Sequence, residues 1–428
     1  MENNWYKLDN AAKIYPAIRQ SDWAPIFRED ILLKEEVRPD VLQAALKLTY
    51  KRFPTFSVHM TRGLFWYYFE AIDSIPEARA EDRYPVRPFS EDKDKGYLFR
   101  VLYYGRRISL EVFHSISDGY GVSVFLKTLV YNYLSLLKSR ELVDNPLELD
   151  KYGILYHKDI PTLEEMEDSF QVYAFEEEPL KLHENQAYEI KGSSIRKESL
   201  RIIHILLSVE ELKGLAKEYD CTITEFLAAL YTYSIFNSRI YRRADKRPVK
   251  ISVPVNLRKH FPSKTLRNFS AYINVEVFPK EGDGKPDFKE ICKAARDQLR
   301  SGIDRRTLRD KFSGNVHAEK NLVLRIAPLF IKNLVLKSIY NVVGERFMTS
   351  TLSNIGSIVL PKEMETLIER FDFVLGSPKK NSINCAVISH KDTISISFTS
   401  VISENSIFKE FVDFLVTHGL KVDLETNY

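Results

Sequence analysis

Cysteine is nearly missing: the 428 residues include only three, Cys221, Cys292 and Cys385, at spacings that pair none with another. That excludes a disulfide framework and a cysteine-built zinc site, and it suits a reducing compartment. A dominant charge is missing too. Lysine and arginine number 62 against 59 aspartates and glutamates, a net +3, so no bulk field draws the chain to nucleic acid. The N-terminus, Met1-Glu2-Asn3-Asn4-Trp5, lacks a basic stretch followed by an apolar one, so no signal peptide is expected. The most apolar helical stretch, Leu322 to Val343, is interrupted by Arg325, Lys332 and Lys337, which argues against a transmembrane segment. No repeat or low-complexity tract occurs. A soluble, cytoplasmic protein is the expectation.

The remaining composition is globular, with 44% hydrophobic and 28% charged residues. An aromatic share of 12%, mostly Tyr and Phe, suits a large core or an aromatic-lined cavity. The length suits two domains of ordinary size or one unusually large one. Asp40 to Tyr50 carries apolar residues at helical spacing, with Asp40 placed as the cap. Tyr97 to Tyr104 and Ile108 to Phe113 read as two strands joined by a turn at Gly105. Ile108, Leu110 and Val112 share one face of the second strand, and His114 continues that face where the strand ends. Gly119 and Gly121 then break the chain before a helix whose apolar stripe includes Val122, Phe125, Leu129 and Tyr133.

Residues 145–197 are charged and weakly periodic, and read as a connection between two halves. Beyond them strand and helix restart. Ile202 to Leu207 is a strand candidate, Ser208 begins a helix with a capping box, and Thr222 or Thr224 caps the next. Later strands are expected at Val249–Pro254, Ala271–Val277, Ile383–Ser389 and Thr393–Ser400, with a last helix at Ile407–His418.

The chemistry gathers at His114-Ser-Ile-Ser-Asp118-Gly119. A neutral imidazole takes a proton from a hydroxyl, amine or thiol near cellular pH and returns it to a leaving thiolate. Asp118 has no need to touch substrate. A buried pair with an arginine would hold the loop in shape, and breaking such a pair costs about 3–5 kcal/mol. The plainer alternative makes His114 a strand-end residue and Asp118 the cap of the following helix.

His114-Ser-Ile-Ser-Asp118-Gly119 resembles the active-site signature of the chloramphenicol-acetyltransferase-like superfamily, which includes plant BAHD acyltransferases, alcohol acetyltransferases and condensation domains of peptide synthetases. Many members carry two consecutive histidines, the second catalytic; here Phe113 stands in place of the first, which BAHD members also do without. Val253-Pro-Val-Asn256-Leu-Arg258, followed by Leu266-Arg267-Asn268, looks like the superfamily's Asp/Asn-x-Arg and Gly-Asn region; that match implies Arg258 as the partner of Asp118. Phe371-Asp372-Phe373-Val374-Leu375-Gly376-Ser377-Pro378 resembles the BAHD Asp-Phe-Gly-Trp-Gly-Lys-Pro block, with Asp372, Phe373, Gly376 and Pro378 coinciding, and implies a structural role. Thr349 to Gly356 is similar to a Ser/Asn-Gly segment of bacterial alcohol acetyltransferase-like proteins, the members this chain resembles most. There Ser353, or equally Thr351 or Asn354, would steady an oxyanion, with a capped turn as the plain alternative.

The resemblance implies an α/β (α+β) fold of two chloramphenicol-acetyltransferase-like subdomains, 1–185 and 186–428. Each is a mixed β-sheet with flanking helices, and the active-site tunnel runs between them. It implies His114 as general base and Ser353 beside the oxyanion, with no covalent intermediate and no metal. Asp118, Gly119, Arg258, Asn268, Asp372 and Gly376 are implied as structural. Acyl-CoA, most simply acetyl-CoA, is the implied co-substrate, with no cofactor held permanently and a small alcohol or amine as acceptor. Two alternatives stand beside this O-acyltransferase: a condensation-type enzyme fed by an acyl carrier protein, and a non-catalytic relative that binds a ligand in the same cleft. Arg239, Arg242, Arg243, Lys246 and Arg247 either meet the phosphates of coenzyme A or form a solvated basic face. The Leu322–Val343 stretch either packs in a core, rests on a membrane or lines an acyl tunnel. His204, His260 and His390 read as structural histidines, and the paired acids Glu35-Glu36, Glu164-Glu165 and Glu176-Glu-Glu178 as surface.

Overall fold

Apolar alternation in Arg107–Phe113 buries Ile108, Leu110 and Val112 completely, and the strand pairs antiparallel with Phe99–Tyr104 across a turn at Gly105. The computed structural model describes residues 5–19, 24–82, 84–143, 145–175, 185–195, 200–242, 244–280, 285–321, 325–339, 345–376 and 381–427. Arg243, Ser377, Pro378 and Glu176–Glu178 lie outside the described residues, as do 322–324 and 340–343.

The first sheet has five strands in the order Ile368–Leu375, Ile26–Leu33, Arg107–Phe113, Phe99–Tyr104 and Arg79–Ala80. All its pairings are antiparallel except that of Arg79–Ala80. Ile26–Leu33 escapes a reading by alternation because Arg28, Glu29 and Asp30 sit in its middle, and all three are buried. Arg28 and Asp30 tolerate burial because partners come from the strand itself and from distant segments. Arg28 bridges Asp30 at 2.7 Å and Glu81 at 2.5 Å, and beside it Arg100 meets Glu111 at 2.6 Å.

The second sheet has seven strands, in the order Ser270–Val277, Val249–Asn256, Ser350–Ile358, Ile383–His390, Thr393–Ser400, Arg201–Ser208 and Asp423–Thr426. Ser350–Ile358 runs parallel to both neighbours and the rest pair antiparallel, so this sheet is mixed as well. A small third sheet joins Trp5–Lys7, Tyr67–Ala71 and Val58–Arg62. One core packs the five-stranded sheet against the helices Pro39–Arg52 and Gly119–Leu137; the other packs the seven-stranded sheet against Ile223–Asn237, Phe288–Gly302 and Ser406–Thr417. The expected α/β fold of two mixed-sheet units is therefore what the chain adopts. The edge strand Ile368–Leu375 belongs in sequence to the second half and in space to the first sheet, and it packs on Ile383–His390 and Thr393–Ser400.

One cap assignment and one helix start change. The helix Pro39–Arg52 begins with Pro39 in its first turn and Arg38 as N-cap, and Asp40 caps nothing but pairs with Arg38 at 2.9 Å. Proline is preorganised for that first position, where no amide donor is needed, which moves the start one residue back. Gly119 and Gly121 do not break the chain ahead of a helix; they form the first turn of Gly119–Leu137, and Asp118 is its N-cap. Elsewhere Ser208 and Thr222 cap Val209–Glu218 and Ile223–Asn237 as their spacing predicts. No helix among the described residues is long and apolar enough to cross a membrane.

Candidate active site

His114 follows the last residue of the strand Arg107–Phe113, and its backbone N–H donates to the carbonyl of Pro25 at 2.9 Å. Its half-buried ring stacks on Tyr15 at a centroid distance of 4.8 Å and lies against Phe27 at 4.9 Å. Nδ1 is 3.0 Å from Oδ1 of Asn268. The orientation of that amide follows from its other contacts. Its nitrogen faces two acceptors, the Asp9 carboxylate at 3.1 Å and the Ser115 carbonyl at 3.4 Å, so it must be the NH2 end. Asn268 therefore offers His114 an acceptor, Nδ1 carries the proton in the neutral ring, and the lone pair is on Nε2. Nε2 makes no hydrogen bond among the described residues.

Asp9 is completely buried and also accepts the amide of Ala12 at 2.7 Å. Burial raises its carboxyl above the usual range, although Arg267 and Asn268 oppose that. Asp9 and Tyr15 carry no signal in the sequence, because both reach the histidine only through folding of the N-terminal segment.

Asp118 acts as cap and as clamp together. Oδ1 accepts the Gly121 amide at 3.2 Å, while Oδ2 accepts Arg258 Nη1 and the Phe269 amide, each at 2.8 Å. The two readings of Asp118 were never exclusive, since a carboxylate has lone pairs for both. Arg258 also donates to the carbonyls of Thr265 and Arg267 and lies over Tyr120, with 4.6 Å from its guanidinium carbon to the ring centroid. Ser117 Oγ donates to the Leu266 carbonyl at 2.6 Å. The segment 256–269 is thus fastened onto the His114–Asp118 turn, and this brings Asn268 to the imidazole.

Of the two glycines in the first helical turn, Gly121 is the one that the packing requires. A Cβ there would lie 2.1 Å from the Leu266 oxygen, whereas one at Gly119 would make ordinary contacts of 3.6 Å with Ile355. Gly121→Ala is expected to cost about 1–3 kcal/mol by overpacking, and Gly119→Ala less than 1. Urea unfolding of the two variants checks the contrast, and equal losses would contradict it.

Ser353 lies in the strand Ser350–Ile358, and not in a capped turn. Gly356 sits at positive φ (+94°), and the chain takes up that conformation as a bulge between Asn354 and Gly356 within the ladder. Asn354 is engaged in that bulge, accepting the Gly356 amide at 2.8 Å and donating to Thr224 at 2.9 Å. Thr351 Oγ1 faces Met348 Sδ at 3.8 Å. Ser353 is half-buried, its hydroxyl makes no hydrogen bond among the described residues, and it is paired in register with Ala386, a member of the first core. Two residues on, Ile355 meets Gly119. So the strand passes the turn that carries His114, with Ser353 on the side of the first unit.

Asp372 and Gly376 are held by contacts of their own. Burial works to raise the Asp372 carboxyl, but His204, Arg370 and Ser395 outweigh it and hold it below the usual range. Ser395 Oγ is 2.6 Å away and Arg370 Nε 3.1 Å. Gly376 bonds to the Ile26 carbonyl at 2.9 Å, and a Cβ there would lie 2.2 Å from the same oxygen. The basic residues 239–247 precede the strand Val249–Asn256, whose far end leads to Arg258. At about 3.3 Å per residue the start of that strand lies roughly 25 Å from the clamp. Arg247 there is paired with Asp245 at 2.6 Å. Among the described residues no cluster of His, Cys, Asp and Glu could hold a metal ion.

Below the start of the helix Gly119–Leu137 lies Glu29, buried, with Oε2 accepting Ser123 Oγ at 2.7 Å and Oε1 left without a hydrogen-bond partner. Burial pushes its carboxyl up to about 8, with Ser123 and Lys127 opposing and Asp30 and Asp118 adding to the rise. Between about pH 4.5 and 8 the unfolded chain releases this proton while the native state keeps it. Rising pH therefore removes stability, by about 1.4 kcal/mol per unit, and below that window the contribution is level. Urea titrations of wild type and Glu29→Gln should run level at the acid end, with the variant gaining relative to wild type towards pH 8. A constant difference across the window would mean that Glu29 ionises freely.

No protein-family model and no curated protein matches the sequence. Solved structures do match. Polyketide synthase associated protein 5 from Mycobacterium tuberculosis superposes with a TM-score of 0.58 at 12% identity, over 96% of this chain and 97% of that one. The starter condensation domain of rhizomide synthetase RzmA, in a mutant form in complex with C8-CoA and Leu-SNAC, gives 0.58 at 13% identity, over 97% and 94%. The first condensation domain of the CDA synthetase gives 0.58 at 13% identity, over 97% and 96%. Likeness at this level of identity establishes a shared fold along nearly the whole chain.

Proposed function

From a chain with the two-subdomain, chloramphenicol-acetyltransferase-like fold of the condensation domains, we propose an acyltransferase in which His114 is the general base. The observation that carries this reading is the tautomer: Nδ1–H is committed to Asn268, which leaves the Nε2 lone pair for a substrate proton. His114 Nε2 takes the proton of an alcohol, or of an amine, as its heteroatom attacks a thioester carbonyl. The tetrahedral oxyanion collapses, the carbon–sulfur bond breaks, and the imidazolium returns the proton to the thiolate. Ser353, with its hydroxyl uncommitted, is assigned to the oxyanion. Donor and acceptor approach His114 from opposite sides, along a passage between an N-terminal unit ending near residue 185 and the unit that follows. Holding both there would supply much of the rate advantage.

Acyl-CoA is the first donor to try, since the RzmA starter domain was solved with C8-CoA. The second reading, a donor carried on an acyl carrier protein, is favoured by the condensation domains among the structural neighbours. A panel of acyl-CoAs offered with small alcohols and amines, read by thiol release, tests both. Release that depends on an acceptor supports the CoA-dependent enzyme. Folded protein that is silent with every acyl-CoA, yet active with carrier-borne thioesters, supports the second reading, and silence with both contradicts the proposal.

A further inference from the structure

The helix Leu329–Ile339 follows Pro328 and turns one apolar face outward: Phe330, Ile331, Leu334 and Val335 are 64%, 42%, 68% and 46% exposed. Beside it, the hairpin between Val58–Arg62 and Tyr67–Ala71 holds Leu64 and Phe65 out at its tip, 71% and 42% exposed. Helix and hairpin are one surface. The Leu329 amide donates to the Leu64 carbonyl at 2.8 Å, and Asn333 donates to the Tyr67 hydroxyl at 2.8 Å. Lys332, buried beneath them, donates to the Phe65 carbonyl at 2.9 Å and lies over the Trp66 ring. Side chains held this firmly and still turned to water make an apolar patch that a protein without a use for it would cover or make polar.

Charge decides what covers it. Residues 320–339 and 61–69 contain no aspartate or glutamate, while Arg62, Lys320, Arg325 and Lys337 stand exposed around the patch. A second copy of the chain docking face to face would bring two cationic rims together, and the acids that flank these segments, Glu70 and Glu319, are already engaged with His59 and Lys13. A surface that is anionic at its face and apolar a few ångströms below satisfies both features. The aromatic run Trp66-Tyr67-Tyr68 next to the tip is the kind that settles at a lipid–water boundary.

We propose that this surface binds the face of an anionic lipid bilayer, with the helix Leu329–Ile339 lying in the headgroup layer and the Leu64–Phe65 tip inserted beside it. The helix packs on Ile14–Ile18, which carries the Tyr15 ring stacked on His114. The bilayer would then lie on the Tyr15 side of the histidine, whatever acyl group His114 transfers. This membrane contact is peripheral, and it is weakened by salt.

Co-sedimentation of the full chain with vesicles of phosphatidylglycerol and phosphatidylcholine, against vesicles of phosphatidylcholine alone, tests it. Binding to the anionic vesicles is expected, at least tenfold weaker on phosphatidylcholine. Phe330→Glu/Leu334→Glu should lose at least tenfold, and Arg62→Gln/Lys337→Gln should lose the preference for anionic lipid. Leu147→Glu, which alters an exposed leucine elsewhere (82%), should bind as wild type does. Thermal unfolding of each variant shows that it is folded. Absence of binding to anionic vesicles, or equal loss in Leu147→Glu, would overturn the proposal. So would a self-association that the Phe330/Leu334 variant abolishes while vesicles bind neither form. Thiol release from water-soluble substrates should be unchanged in the Phe330/Leu334 variant, so failure here is separable from failure of the acyltransferase reading.

Discussion

Arg258→Ala is expected to cost about 3–5 kcal/mol of folding stability, because it strands a buried carboxylate. The Asp118 and Arg258 side chains are 7% and 6% exposed and meet at 2.8 Å. Without the guanidinium, Asp118 keeps only the Phe269 and Gly121 amides. The loop 256–269 also loses the side chain to which Thr265 and Arg267 turn their carbonyls. Since that loop carries Asn268 to His114, activity should fall as well, and more than the unfolded fraction explains. Asp118→Asn/Arg258→Leu should recover part of the stability, because it removes the orphaned charge. Urea unfolding gives the three values. A loss below 1 kcal/mol in Arg258→Ala would show that the loop is held by its backbone contacts alone.

How far all this was legible from residues differs by element. The hairpin Phe99–Phe113 was legible because its alternation is clean and its turn short. Ser208 and Thr222 were legible because a cap is a local event spanning three residues. The strands Ile26–Leu33 and Ile368–Leu375 were not. Each carries charged residues that are buried, Arg28 to Asp30 in one and Asp372 in the other. Only some of their partners are local, Asp30 for Arg28 and Arg370 for Asp372; Glu81, Glu111, Ser395 and His204 lie far along the chain. At the site, the residue types in His114 to Gly119 point to proton transfer, but the tautomer of the ring does not follow from them. It depends on Asn268 Oδ1, and the direction of that amide depends on Asp9, which is 259 positions away from Asn268. Gly121 shows the same limit: its need for no side chain comes from the Leu266 carbonyl, brought in by folding.

The largest expected effect belongs to His114. Removing a general base slows proton transfer by about 10²–10⁴-fold, and no described side chain stands ready to replace it. Tyr15, whose ring stacks on the imidazole, has a phenol held strongly protonated by burial and by Asp9 and Asp118. His114→Ala deletes a half-buried ring and leaves the Asp118–Arg258 clamp in place, so its folding should change far less than its activity. The direct measurement is acceptor-dependent thiol release by wild type and His114→Ala, side by side, with folding checked by circular dichroism. The account predicts release in the wild type and a fall of at least a hundredfold in the folded variant. A His114→Ala protein that releases thiol as fast as wild type would contradict it.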